Sequence, residues 1–249
     1  MKKYHKTAEE IIAYNNRIKN GKNAASSPLK KYWNFFPTPQ SLIEKMLEDY
    51  KDKPLPKNIL EPSAGKGDII EYINQRTSND NSHPNIYCYE LVPELQEILK
   101  RKKCQLLGSD FLKHNAQINF DLIIMNPPFD MGVNHLLHAW DILKKGGQIV
   151  ALLNKHSYYN AYNSHRLKFK TLVDQFGKIQ NLGQAFSDNV QRTAQVDVIM
   201  VTITKKPDSY YQDVGINLGK YLNPNLAIKN RRAEYVVREL PKYRQKTFN

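Results

Sequence analysis

The sequence is short of the residues on which small secreted folds and metal-built folds depend. It has two cysteines, Cys88 and Cys104, in 249 residues. Two thiols exclude a disulfide framework or a cysteine metal cluster. Both fall in expected strand segments, where packing is their reading, and a reducing, cytoplasmic setting is the expectation. Long apolar runs are missing too. None approaches the roughly 20 residues of a membrane span, and no membrane association is expected. The start, Met1-Lys2-Lys3-Tyr4-His5-Lys6, is basic with no apolar run behind it, so no signal peptide is expected. His135 and His138 stand three apart on an expected helix, but no further ligand has metal spacing, and no metal is expected. A Gly-x-Ser-x-Gly elbow, a pair of catalytic carboxylates, an internal repeat and a low-complexity tract are all absent.

Acids are scarce relative to bases: 24 against 37 Lys and Arg, for a net charge of +13. The excess sits at the ends. Residues 1–33 hold eight Lys/Arg and two Glu, and residues 205–249 hold ten Lys/Arg and four acids, each end netting +6. A near-neutral centre with basic arms suits a polyanionic partner, and nucleic acid is the partner expected. Solvated tails kept for solubility are the alternative that charge alone leaves open. The organisation expected is a basic N-terminal helix and loop over 1–33, a central domain over 34–206 and a basic extension over 207–249. With hydrophobic residues at 41%, the central domain can build a substantial core.

Periodicity fills in that centre. Thr7-Ala8-Glu9-Glu10 is a capping box ahead of a short helix to Asn20, and 21–31 read as a loop. Gln40 to Tyr50 carries Leu42, Ile43, Met46 and Leu47 on one helical face. Strands are expected at 58–60, 85–91, 105–107, 121–125, 148–153, 178–182 and 195–204. Helices are expected from Ile69, over 94–102, over 135–143 with a stop at Gly146-Gly147, and over 164–176. Such alternation predicts an α/β fold, a parallel sheet with helices on both faces. The connection from Gly183 to Ala194 has no helical pattern, so the last strand is expected to run antiparallel. Past Pro207 the chain changes character. Residues 230–240 are expected to form a basic helix, and Tyr235, Tyr243 and Phe248 lie among Arg and Lys in the sequence, where they could stack bases or simply dock on the core.

Chemistry concentrates at the strand ends. Asp121 to Met125 is an apolar run led by an acid, the length of a strand buried on both faces. Asn126-Pro127-Pro128-Phe129 ends it abruptly, since the prolines forbid further pairing. In open α/β sheets ligands bind at such carboxyl ends. Glu61-Pro62-Ser63-Ala64-Gly65-Lys66-Gly67 lies between a strand and a helix, and its glycines permit close backbone approach. A phosphate-binding loop does not fit, because position 60 is Leu and position 67 is Gly, and position 70 is Ile where a dinucleotide fingerprint needs Gly. Glu61 would repel a pyrophosphate and welcome a cation. Glu90 is placed to accept from a ribose, and Asp110 from an exocyclic amine with Phe111 as a stacking surface. Each acid alone could be a solvated strand terminus. Together they describe a site for a nucleoside bearing positive charge.

In this order the motifs resemble the class I S-adenosylmethionine-dependent methyltransferases, within the amino-methyltransferases of nucleic acid adenines, over about residues 34 to 204. The resemblance implies a Rossmann-like fold with a seven-stranded, mostly parallel sheet and an antiparallel last strand. It implies S-adenosylmethionine as cofactor, held by Phe36, Thr38 and Pro39, by Glu61, Ala64, Gly65 and Gly67, by Glu90, and by Asp110 and Phe111. Asn126, Pro127, Pro128 and Phe129 match the family's catalytic tetrapeptide. Phe129 and Phe186 would hold the target base. The implied reaction is methyl transfer to the N6 amine of adenine in DNA. Carbon-5 cytosine methylation needs a cysteine nucleophile after a proline, and neither Cys88 nor Cys104 follows one. The alternatives are an RNA base methyltransferase acting on adenine N6 or guanine N2, a protein-glutamine methyltransferase, and an inert nucleic-acid-binding subunit. No target-recognition region is inserted between Phe111 and Asp121, so the basic ends, a dimer or a separate partner would supply those contacts.

Overall fold

A computed structural model of the chain describes residues 37–78, 83–114, 117–186 and 197–207. Phe36, the expected helix to Asn20, the loop 21–31, the basic extension beyond 207 and its helix over 230–240 lie outside the described residues.

Strand and helix alternate along the chain as its periodicity requires. The elements are α1 (Gln40–Met46), β1 (Asn58–Glu61), α2 (Asp68–Arg76), β2 (Asn85–Tyr89), α3 (Pro93–Leu99), β3 (Gln105–Gly108), β4 (Phe120–Met125), α4 (Gly132–Ile142), β5 (Leu143–Asn154), α5 (His156–Tyr159), α6 (Ser164–Phe176), β6 (Gly177–Gly183) and β7 (Val198–Thr204). The seven strands form one sheet in the order β3-β2-β1-β4-β5-β7-β6. β1 to β5 pair in parallel, whereas β7 runs antiparallel to both β5 and β6. The expected antiparallel last strand is therefore present, wedged between β5 and β6.

β4 lies in the middle of the sheet and is buried on both faces, as its unbroken apolar run demands. Its residues alternate between two cores. Ile123 and Met125 join Leu136, Ala139 and Trp140 of α4 and Phe169, Leu172 and Val173 of α6. Leu122 and Ile124 join Leu42, Ile43 and Met46 of α1 and Ile69, Ile70 and Ile73 of α2. This is the period-two signature of a strand sandwiched between helical layers. Asp121, the acid leading the run, ties neighbouring segments together. It accepts from the Asn58 N–H at 2.9 Å and pairs with Lys144. Among the described residues no helix is long and apolar enough to cross a membrane.

One boundary departs from expectation. Gly146-Gly147 does not end α4. The helix closes at Ile142, and β5 runs on from Leu143 through both glycines to Asn154. The glycines instead absorb a register shift between β4 and β5, where Phe120 pairs with Leu143 but Leu122 with Gln148. Gly146 takes φ 81°, and a Cβ on Gly147 would lie 2.9 Å from the Lys144 carbonyl and 3.0 Å from that of Asp121. The last turn of α4 is closed from outside. The Lys205 ammonium donates to the carbonyls of Trp140 and Leu143, each at 2.8 Å, which satisfies exposed helix-end acceptors. α1 is also shorter than expected. It ends at Met46, because Leu47 leaves helical geometry and a tighter 3₁₀ turn follows over Glu48–Tyr50.

α6 likewise passes into β6 without a loop, at Gly177. Its φ of −128° is open to any residue, so glycine is needed there for space. A Cβ would stand 2.9 Å from the Thr202 carbonyl and 3.1 Å from that of Val173. Backbone atoms cannot swing aside as a side chain can. Gly177→Ala is expected to destabilise the fold by about 1–3 kcal/mol, read as a lower urea midpoint with the denaturant slope unchanged.

Candidate active site

Four parallel strands end along one edge of the sheet, and each hands over to a residue singled out in the sequence. β1 ends in Glu61, β2 is followed by Glu90, β3 by Asp110 and β4 by Asn126. The loop after β1 folds back on the end of β2. The Ala64 N–H donates to the Tyr89 carbonyl at 3.0 Å, and the Gly67 N–H closes a tight turn on the Ala64 carbonyl at 2.7 Å. Gly65 and Gly67 take φ of 57° and 80°, which favours glycine at both positions. At Gly67 there is a steric reason as well, since a Cβ would lie 2.9 Å from Leu99 Cδ2.

Two carboxylates are buried under this loop. Glu90 is held by backbone donors: the Gly65 N–H reaches Oε2 at 2.6 Å and the Val92 N–H reaches Oε1 at 2.8 Å. Burial pushes its pKa up to about 6, against the N–H groups of Val92, Gly65 and Leu91, which favour the charged form. Glu61 is more enclosed, at 3% exposure, and its Oε2 has no hydrogen-bond partner. Burial first, then the charges of Asp68, Cys104 and Glu90, hold its pKa well above the ordinary value. Among the described residues no Lys or Arg pairs with either acid; the nearby Lys66 pairs with Asp68 and Lys102 with Glu71.

Behind them Cys88 and Cys104 bring their sulfurs to 3.7 Å as free thiols. Cys88 packs in the core as expected, and the Cys104 hydrogen bond, followed by burial, pushes its thiol up. Sequence spacing does not announce this pairing. It arises because β2 carries Cys88 beside the segment that opens β3.

Asp110 caps the 3₁₀ turn over Phe111–Lys113 by accepting from the Leu112 N–H at 3.1 Å, and it pairs with Lys113 at 3.2 Å. Phe111 is not placed as the stacking surface expected of it. Its ring is 2% exposed and enclosed by Tyr89, His114, His135 and His138, with the His138 centroid at 4.8 Å. An aromatic residue at a strand end folds inward when the neighbouring helix offers a pocket, and α4 does so here through His135 and His138. At the β2 end the exposed apolar side chain is Leu91, 56% exposed and directly after Glu90. It passed unnoticed in the sequence because a single Leu after a strand carries no pattern.

The β4 end gathers residues from distant segments. The Asn126 Nδ2 donates to Thr38 Oγ1 at 3.1 Å, across 88 positions of sequence. Thr38 is itself buried, and Pro39 starts α1 as its N-cap. Pro127 is buried and Pro128 half-buried; the Pro128 carbonyl accepts from the Met131 N–H at 2.9 Å, which turns the chain into α4. Phe129 and Phe186 meet edge to face, with centroids 5.9 Å apart. The structure thus brings together Thr38, Asn126, Pro127, Pro128, Phe129 and Phe186 at one strand end, and Glu61, Ala64, Gly65, Gly67 and Glu90 at its neighbours. Phe36 lies outside the described residues.

Residues 52–185 match the family model described as the methyltransferase small domain. The chain belongs to that family. The matched stretch runs from ahead of β1 almost to Phe186 and leaves Thr38 and Pro39 outside it. Solved structures agree on the fold. A protein assigned to the class I S-adenosylmethionine-dependent methyltransferases, from Listeria monocytogenes, is 17% identical with a TM-score of 0.55, over 81% of this chain and 69% of that one. The methyltransferase subunit of a type I restriction-modification system from Streptococcus thermophilus is 13% identical, with a TM-score of 0.55, over 76% and 53%. A dimethyladenosine transferase from Plasmodium falciparum is 16% identical, with a TM-score of 0.52, over 76% and 68%. This methyltransferase therefore spans about half the length of the restriction-modification subunit it matches. Among curated proteins no sequence matches.

The cofactor of this methyltransferase is S-adenosylmethionine, and the donor set fits it. A cationic, hydroxyl-bearing nucleoside supplies what the site lacks: positive charge near the unpartnered Glu61 Oε2 and hydroxyl donors for Glu90.

Glu90 makes the fit pH-dependent. Its folded pKa, about 6, lies above the ordinary 4.5. The ligand-free fold therefore holds its Glu90 contribution fully below pH 4.5 and loses it as pH rises through about 6. Binding of a ligand whose hydroxyls donate to both Glu90 oxygens carries the opposite sign, because a carboxyl group that accepts at both oxygens has to be ionised. Affinity for S-adenosylhomocysteine, measured by calorimetry, is expected to be level above about pH 7 and to fall by up to about tenfold per pH unit below 6. Glu90→Gln is expected to bind more weakly with no such slope.

Proposed function

We propose that this methyltransferase transfers a methyl group from S-adenosylmethionine to the N6 amine of adenine in DNA. The observation that carries the reading is the Asn126-Pro127-Pro128-Phe129 end of β4, with its amide fixed by Thr38 and its aromatic ring set against Phe186. An exocyclic amine shares its lone pair with the ring and is a poor nucleophile. The Asn126 side-chain oxygen and the Pro127 carbonyl accept its two hydrogens, which favours a tetrahedral nitrogen with its lone pair turned out of the ring. When bound, the cofactor supplies an electrophilic methyl on a sulfonium. The protein's contribution is positioning and stabilisation of the charge that develops on the amine. Phe129 and Phe186 form the walls against which a base swung out of its helix would rest.

Around the cofactor the same reading gives each residue a task. Glu61 faces positive charge, Glu90 takes the ribose, and Ala64, Gly65 and Gly67 shape the loop. Asp110 accepts from the adenine amine, and Leu91, in place of the enclosed Phe111, offers an apolar face. Thr38 and Pro39 position the start of α1 against Asn126. The basic ends over 1–33 and 207–249 contact the phosphate backbone of the nucleic acid, with a dimer or a second protein supplying sequence reading.

RNA is the second reading, at adenine N6 or guanine N2. What favours it is the compactness of the β3–β4 connection: only nine residues separate Phe111 from Asp121, with no recognition insert. Labelled methyl transfer to duplex DNA, single-stranded DNA and RNA, followed by nucleoside digestion, distinguishes the readings. N6-methyldeoxyadenosine is expected. Label confined to RNA, or to protein, overturns the DNA assignment.

Two substitutions test the assigned roles. Asn126→Ala should abolish transfer while S-adenosylhomocysteine still binds; surviving activity would refute the mechanism. Thr38→Val removes the acceptor that holds the Asn126 amide and should lower kcat roughly 10-fold or more, the loss expected when an oriented group is freed. Thr38→Ser keeps the hydroxyl and should restore most of the rate.

A further inference from the structure

The surface beyond β5 is unlike the rest of the molecule. Among the described residues the exposed large hydrophobic side chains are Leu91, Tyr159, Tyr162 and Leu167, and three of these four fall within nine positions. Tyr159 is 58% exposed and Tyr162 is 90% exposed. An exposed aromatic ring leaves apolar area in water, and two stand on this one short stretch. Around them residues 155–170 hold Lys155, Arg166, Lys168 and Lys170 and neither Asp nor Glu.

The stretch is held in place by its own hydrogen bonds. The Asn160 N–H donates to the His156 carbonyl at 3.0 Å, and the Tyr162 N–H donates to the Asn160 carbonyl at 3.1 Å. Arg166 Nη1 reaches the Asn160 carbonyl at 3.2 Å, and Asn163 caps α6 by accepting from the Arg166 N–H at 2.8 Å. Lys155 sits 5.8 Å from the Tyr159 ring and Lys170 sits 4.2 Å from that of Tyr158, steadied by Asp197 and Asp174 respectively. Tyr162 is therefore presented on a fixed backbone with its ring in solvent.

Its position relates it to the candidate active site. β4 and β5 run parallel with Met125 opposite Ala151, so Asn126 emerges level with Leu152 and the α5 segment leaves the same edge of the sheet. Asn134 of α4, the helix that follows the catalytic tetrapeptide, bonds His165 of this stretch at 3.1 Å.

We infer that Tyr159 and Tyr162, with Lys155, Arg166 and Lys168, form a binding track for unpaired nucleotides flanking the target base. The inference rests on the nucleic-acid reading above and names the substrate form within it. Exposed aromatic faces take unstacked bases of any sequence, and interleaved cations take their phosphates. A duplex presents phosphates but hides its base faces, so it would use the cations and leave the rings idle.

The test uses the full chain and three fluorescein-labelled 20-mers of one sequence: single-stranded DNA, single-stranded RNA and duplex DNA, read by anisotropy. Each stacked ring contributes on the order of 5- to 150-fold to affinity. The Tyr159→Ala/Tyr162→Ala variant should bind the preferred single strand at least about 10-fold more weakly. Duplex affinity should change less than about twofold, and S-adenosylhomocysteine affinity should not change. Tyr159→Phe/Tyr162→Phe should restore the single-strand affinity. If the alanine variant binds single strands as the wild type does while methyl transfer to an oligonucleotide persists, the track is wrong and the nucleic-acid reading stands. If the wild type binds none of the three, both fall. The arm that responds more strongly, DNA or RNA, identifies the source of the unpaired strand.

Discussion

Burying a carboxylate without a cation beside it is costly, and this protein does so at two adjacent strand ends. Glu61 and Glu90 stand 3% and 7% exposed, with no Lys or Arg paired to either among the described residues. For Glu90 the cost is offset by backbone N–H groups, which requires the glycine loop to fold down onto the end of β2. That requirement fixes the φ of Gly65 and packs Gly67 on Leu99, and so couples the loop to α3. Glu61 has no such compensation at Oε2. The loop thereby covers one acid held by backbone donors and one whose Oε2 has no partner, and a ligand that binds the folded chain alone and supplies that partner adds to folding stability.

Most of the architecture follows from local pattern. The apolar run from Leu122 to Met125 cannot be anything but a strand covered on both sides once two prolines end it, and its residues do alternate between two helical cores. The antiparallel seventh strand was legible as well, because Gly183 to Ala194 lacks helical periodicity. Boundaries were less so. Gly146-Gly147 reads as a helix stop, yet the pair serves a register shift whose cause, the pairing of Phe120 with Leu143, lies far away in sequence.

The site shows the same division. Polar residues at strand ends can be placed by counting strands, and the acids Glu61, Glu90 and Asp110 and the amide of Asn126 fall where the count puts them. Whether a ring faces ligand or core cannot be counted, because it depends on the pocket that another element provides. Phe111 turns inward to meet His135 and His138, and Leu91 takes the exposed position. The hydrogen bond from Asn126 to Thr38 and the approach of Cys88 to Cys104 are likewise products of tertiary assembly. Phe186, distant in sequence, lies against Phe129.

α4 and α6 each become the following strand with no residue between, at Ile142–Leu143 and Phe176–Gly177. A one-residue insertion in a helix turns its apolar face by about 100°, and in a strand it exchanges the two faces of the sheet. Elsewhere a loop absorbs such a change. At the α6–β6 junction no loop residue intervenes, and at the α4–β5 junction the slack is the register shift at Gly146-Gly147, so a change of length at either has to be taken up inside the helix or the strand.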